Sequence, residues 1–133
     1  MTRSRITAPV ETRTADRTLI GHTSPVNAVA FHPDGHLFAT GGDATARLWD
    51  AGTGEPGLVY TADAHVLSVA FNPDGTTLAI GDWSGTVALW RLGTDEVTTL
   101  AGPDAPVQKL AFSPDGGMLA ASYAERLDGT GRR

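Results

Sequence analysis

Cysteine is absent from the 133 residues, which excludes a disulfide framework, a thiolate zinc site and a cysteine nucleophile. Lysine is almost absent: Lys109 is the single one among ten basic residues, a bias towards arginine that points to no binding mode. No apolar run exceeds four residues, far short of the roughly 20 needed for a membrane-spanning helix. The first twenty residues carry Arg3, Arg5, Arg13 and Arg17 but no apolar core of a secretory signal. A cytoplasmic protein without membrane contact is therefore expected. Excess positive charge is also lacking, the formal net charge being −5, and nucleic acid is not expected as a partner. What the chain does contain is turn chemistry. Its 16 Gly and 8 Pro predict short elements, in a length that suits one small core.

One phrase recurs three times: VNAVAFHPDG from Val26, VLSVAFNPDG from Val66 and VQKLAFSPDG from Val107. Its phenylalanines stand at 31, 71 and 112, and Trp49 and Trp90 keep a similar separation. A period near 40 residues fits either four-stranded propeller blades or paired helices. Strands are favoured, because Pro-Asp-Gly punctuates every unit and no 3.6-residue apolar pattern is sustained. Proline presets φ, aspartate bonds its own downstream backbone and glycine accepts positive φ. Each unit therefore reads as strand, tight turn, strand, turn, strand, loop, strand. First strands are expected at 26–32, 66–72 and 107–113, apolar on both faces as in a sheet covered on both sides. Second strands are expected at 37–41, 77–81 and 118–122. Third strands fall at 45–49 and 86–90, and fourth strands at 57–61 and 97–100.

With Gly21-His22 ahead of the first unit, Trp49-Asp50 closing its third strand and the recurring PDG turns, the sequence over about residues 17–133 resembles the WD-repeat (WD40) β-propeller family. The resemblance implies an all-β partial β-propeller of four-stranded antiparallel blades, serving as a non-enzymatic scaffold for protein partners. It also implies a structural tetrad of His22, Thr40, Asp43 and Trp49 in the first blade, in which buried indole and imidazole donors find acceptors. The second blade departs from that pattern, with Ala62, Ile80 and Ser84 beside a retained Trp90, and the third has Pro103 and Ala121. Losing the network as a whole strands no buried group, so those blades are expected to fold with looser loops.

Residues 1–16 read as a flexible leader and 17–133 as the propeller segment. Residues 17–61 hold an orphan outer strand and blade 1, 62–101 blade 2, and 102–133 an incomplete blade 3. Asp128-Gly129-Thr130 resembles the start of a third strand. An array this short is below the four to eight blades of closed propellers. An uncovered apolar face of roughly 400 Å² forgoes about 10 kcal/mol of burial at ~25 cal/mol/Å². Two expectations follow: the chain is a fragment of a longer propeller, or it forms a strand-exchanged homo-oligomer in which Arg17–Ile20 completes blade 3 of another copy. A truncated product without independent function, or the propeller part of a hydrolase or kinase with its catalytic domain elsewhere, are the other functional readings.

Several chemical motifs dissolve on inspection. Gly52-Thr53-Gly54-Glu55-Pro56-Gly57 matches G-x-G-x-x-G, but Pro56 and the following Leu58-Val59-Tyr60 deny the helix a dinucleotide needs. His32 and His36 flank a turn, not one helix face, and read as an exposed pair rather than metal ligands. Ser24 near His22 lacks a nucleophile elbow, and Asp95-Glu96 has no apolar pocket to raise a pKa. The arginine-rich leader reads as a linker remnant. No catalytic, cofactor-binding or metal-ligating residue is expected, and no cofactor. The one functional candidate is Trp83, in the turn Asp82-Trp83-Ser84-Gly85; the resemblance implies that this turn lies on a partner-binding rim, with His65 and Leu67 at the matching positions. An exposed aromatic there is either an anchor for a protein partner or a cover for its own loop.

Overall fold

A computed structural model describes residues 3–7, 17–20, 25–94 and 96–125, and every described regular element is a strand. β1 (Arg3–Thr7) and β2 (Arg17–Ile20) form a two-stranded antiparallel sheet. β3 (Ala28–Phe31), β4 (Leu37–Gly41), β5 (Thr45–Asp50) and β6 (Pro56–Thr61) make a four-stranded antiparallel sheet in sequence order. β7 (Val66–Phe71), β8 (Thr77–Asp82), β9 (Thr86–Arg91) and β10 (Val97–Ala101) repeat it. β11 (Val107–Phe112) and β12 (Leu119–Tyr123) form a final pair. The first strands β3 and β11 both pack beside β7. Among the described residues this is a partial propeller: two complete blades, the first two strands of a third, and the β1–β2 pair ahead of the first. Arg3–Thr7, inside the expected leader, is a strand that the sequence reading does not foresee.

Each PDG turn works as its chemistry requires. Gly35, Gly75 and Gly116 sit at φ 79, 76 and 77, a region that L side chains rarely adopt. Asp34, Asp74 and Asp115 each accept a backbone N–H two residues on, from His36, Thr76 and Gly117 at 2.8, 3.0 and 2.8 Å. Hydrogen bonds hold all three carboxyls below the usual carboxylate range: mainly the His36 N–H for Asp34, the Thr76 hydroxyl for Asp74 and the Gly117 N–H for Asp115.

The seam between blades is asymmetric. Blade 1 contributes Ala28, Ala30, Ala39 and Ala46 from its inner strands, flanked by Leu37, Leu48 and Tyr60; blade 2 answers with Val66, Val69, Leu78, Ile80 and Trp90, with Ala88 among them. A Cβ on Gly41 would collide with the Val66 side chain, so the absence of a side chain is what permits the approach. The next seam repeats the device: a Cβ on Gly81 would stand 2.5 Å from Val107 Cγ1, and Ser68 Oγ donates to the Val107 carbonyl at 3.5 Å. Large residues of one sheet thus fill the small face of the sheet before it, in keeping with close-packed interiors.

Two expectations are corrected here. Only β7 has a sheet packed on each side among the described residues, so first strands are not uniformly covered. Val29 and Phe31 of β3 are 46% and 53% exposed, and Gln108, Lys109 and Ala111 of β11 are exposed. The apolar Val29, Phe31 and Ala111 thus stand on stacking faces that no described neighbour covers. His32 is not an exposed turn residue either. Its ring meets Phe71 edge-on at 5.1 Å, and its Nε2 lies 3.0 Å from the Gly75 carbonyl. A carbonyl only accepts, so Nε2 carries the proton and His32 clamps blade 1 to the PDG turn of blade 2. Of the two, only His36 is exposed.

Candidate partner-binding rim

Trp83, His65 and Leu67 come together at the rim where the turns between second and third strands meet the loops leading into each blade. The turn carrying Trp83 is fastened from beneath by Asp82, a buried carboxylate. Asp82 Oδ1 accepts from the Ser84 N–H at 2.9 Å, the Ser84 hydroxyl at 2.6 Å and the Thr86 N–H at 3.2 Å. The looser loop expected of blade 2 is therefore replaced by a local carboxylate lock, a role legible only as an aspartate preceding a turn. The Trp83 N–H donates to the His65 carbonyl at 2.9 Å, tying the turn to the loop before β7.

Leu67 owes its position to a bulge. Val66 pairs with Asp82 and Ser68 with Gly81, leaving Leu67 without a partner across the ladder. The same irregularity falls at Gln108 of β11. Bulges re-aim side chains, and here they send Leu67 and Gln108 to the rim. Asn27, the matching residue of blade 1, reaches across the first seam, its side-chain amide donating to the Val66 carbonyl at 3.1 Å.

Trp83 is 56% exposed, whereas Trp49 and Trp90 are 3% and 7% exposed. Its ring stands between two hollows. One, of about 270 Å³, is walled by Pro25, Asn27, His65, Leu67 and Trp83. The other, of about 440 Å³, adds Pro106, Gln108 and Lys109 to Asn27, Leu67 and Trp83. Pro25, Asn27, Pro106 and Gln108 look unremarkable as separate rim positions in the sequence. Their contribution is to supply, from neighbouring blades, the far walls of hollows centred on blade 2.

Of the expected tetrad, Trp49 Nε1 donates to Thr40 Oγ1 at 2.9 Å with both residues buried, and Asp43 Oδ1 accepts from the Thr45 hydroxyl at 2.5 Å. His22 and Ser24 lie outside the described residues, as does Asp95. Thr40→Val is expected to strand the indole N–H and cost about 1–3 kcal/mol, read as a lower urea midpoint. Adding Trp49→Phe should couple non-additively, since the stranded donor is then gone. Additive losses would show the bond to be without consequence.

Gly52–Gly57 is an inter-strand loop. Asp50 Oδ1 accepts from the Gly52 and Thr53 N–H groups, both at 2.8 Å, these bonds holding its carboxyl below the usual range with Thr53 first, and Pro56 opens β6. Among the described residues no three His, Asp or Glu side chains gather as a metal site, and no helix is long and apolar enough to cross a membrane.

Sheets of four antiparallel strands, repeated with a fixed seam, define blades of a β-propeller. The WD domain, G-beta repeat, family matches residues 14–50, 56–91 and 94–132, and the chain belongs to that family. It is 42% identical over 78 residues to a guanine nucleotide-binding protein subunit beta of Nicotiana tabacum, covering 53% of this chain and 21% of that protein. An uncharacterized WD repeat-containing protein of Synechocystis is 41% identical over 69 residues, or 48% of this chain and 19% of that one. The periodic tryptophan protein 2 homolog of Schizosaccharomyces pombe is 40% identical over 81 residues, covering 57% and 9%. The chain spans about a fifth or less of the length of these relatives. At the level of the family, membership supports a role in protein–protein interaction.

Proposed function

We propose that this chain is a non-enzymatic scaffold module, set in the cytoplasm, that holds a protein partner on the rim formed by Trp83, Leu67 and His65. The observation that carries this reading is the contrast among its tryptophans: two are sealed in the sheets, while the third stands exposed between two hollows. Solvating so large an apolar ring is unfavourable, and interface anchors are enriched in tryptophan seated beside pockets. The seams fix where the rim residues stand, so the fold supplies rigidity and the side chains supply choice. Exposed Val29 and Phe31 also support a working form in which further sheets cover the end blades.

Peptides selected from a displayed random library on the immobilised full chain test the rim. Trp83→Ala is expected to weaken the selected peptides about 30-fold, the equivalent of a ~2 kcal/mol anchor. Because Trp83 is the exposed indole, bound peptide should also protect tryptophan fluorescence from acrylamide quenching. Equal affinity for the wild-type and Trp83→Ala proteins would overturn the assignment.

A further inference from the structure

We propose that a hollow at the outer corner of the first seam is a second docking site, taking a short segment of a partner protein in which an aliphatic side chain stands beside an arginine or lysine. The hollow lies at the end of the blades opposite the rim, and the inference is independent of the rim.

The hollow, of about 430 Å³, is walled by Leu37, Leu48 and Leu58 of blade 1, a size within the roughly 300–1,000 Å³ of ligand pockets. Leu48 belongs to the core shared with blade 2, and Leu37 packs against that core. The walls therefore stand on the face that blade 1 turns towards blade 2. A further sheet stacked on Phe31 of β3 or Ala111 of β11 would sit against other faces and leave this corner open. Leu58 is 56% exposed, and a bulge puts it there. Arg47 pairs with Val59 and Trp49 with Pro56, so Gly57 and Leu58 together oppose Leu48. Bulges re-aim side chains, and this one turns Leu58 to the side of Leu48.

Blade 2 shows that a blade does not need these residues. Its outer ladder runs without irregularity, Val97 opposite Trp90 and Thr98 opposite Leu89. Thr98 thus stands where blade 1 has Leu58, Thr77 where it has Leu37, and Arg91 where it has Asp50. The two leucines and the carboxylate belong to blade 1, not to the repeat. The edge of the hollow supplies the charge. Asp50 and Glu55 line it beside the exposed His36, and no lysine or arginine lines it among the described residues. The Gly52 and Thr53 N–H groups both bond Asp50 Oδ1. They favour its anion and leave the second oxygen with acceptor capacity. An aliphatic group in the hollow with a cation beside it meets both features. A wholly apolar segment meets one of them, and an acidic segment is repelled.

A displayed random peptide library, panned on the immobilised full chain carrying Trp83→Ala to disable the rim, provides the test. Enriched peptides are expected to join a leucine, isoleucine or valine to an arginine or lysine, and to bind the wild-type and Trp83→Ala chains equally. Leu58→Thr, which installs the residue blade 2 tolerates at this place, should weaken them about tenfold. Glu55→Gln should weaken them about threefold at low salt, a difference that high salt removes. Circular dichroism should show both variants with the strand content of their parent; if Leu58→Thr loses it, the reading at Glu55 decides. No enrichment, enrichment without a basic residue, or unchanged affinity for folded Leu58→Thr or for Glu55→Gln at low salt would each overturn the proposal. Failure of Trp83→Ala to weaken rim-selected peptides would overturn the rim assignment and leave all these readings unchanged.

Discussion

Replacing Trp90 by alanine is expected to cost about 3–5 kcal/mol, a large share of the roughly 5–15 kcal/mol that holds an ordinary domain together. Trp90 is buried on β9, directly across from the fully buried Leu78 of β8. Its ring also reaches over the first seam to Tyr60 of β6, with centroids 5.9 Å apart and planes inclined by 37°. That pair adds about 0.5–1.5 kcal/mol beyond area alone. Truncation thus removes packing within blade 2 and the aromatic tie between blades. Urea denaturation followed by circular dichroism should show a much lower midpoint. Trp83→Ala, at an exposed position, should move it by no more than about 0.5 kcal/mol. Similar midpoints for the two variants would show that the seam does not hold the array together.

Gly85→Ala is expected to be nearly as damaging, for a different reason. Gly85 stands at φ +95, and a Cβ there would meet the carbonyl oxygens of Pro103 and Ala105, both backbone atoms that cannot swing aside. The left-handed conformation alone costs an alanine about 1–2 kcal/mol, and forcing two packed backbones apart adds about 1–3 kcal/mol. Gly93 provides the control: its φ is +84 but nothing lies within 4 Å of its missing Cβ, so Gly93→Ala should carry the conformational part alone. Because the displaced loop leads into Pro106 and Gln108, Gly85→Ala should also weaken peptides held in the larger hollow, measured on protein still folded at low temperature. Equal losses at the two glycines would remove the close contact from the account.

The recurring phrase made the strands legible to within two residues, because PDG turns and short apolar runs between them are local signals. β3 begins at Ala28 rather than Val26. β1 was not legible at all: Arg-Ser-Arg-Ile-Thr carries a single strongly apolar residue, and its strand character comes from pairing with β2. Trp83, His65 and Leu67 could be placed on one rim only through the resemblance to other propellers. The hollows could not, since Pro25, Asn27, Pro106 and Gln108 become walls only when neighbouring blades meet. The clamp formed by His32 was hidden for the same reason: its partners, Phe71 and Gly75, lie some forty residues away, and nothing in His-Pro-Asp-Gly-His announces them.

The directional packing of large side chains into a small face gives the array a head and a tail, like bricks with a stud on one side and a socket on the other. Each joint is the same joint, read in the same direction. A duplication of the span from Ala62 to Ala101 would therefore arrive already fitted at both sides, with no surface to be reinvented. Growth by whole blades asks little of such a chain; a change inside one blade must satisfy both of its neighbours.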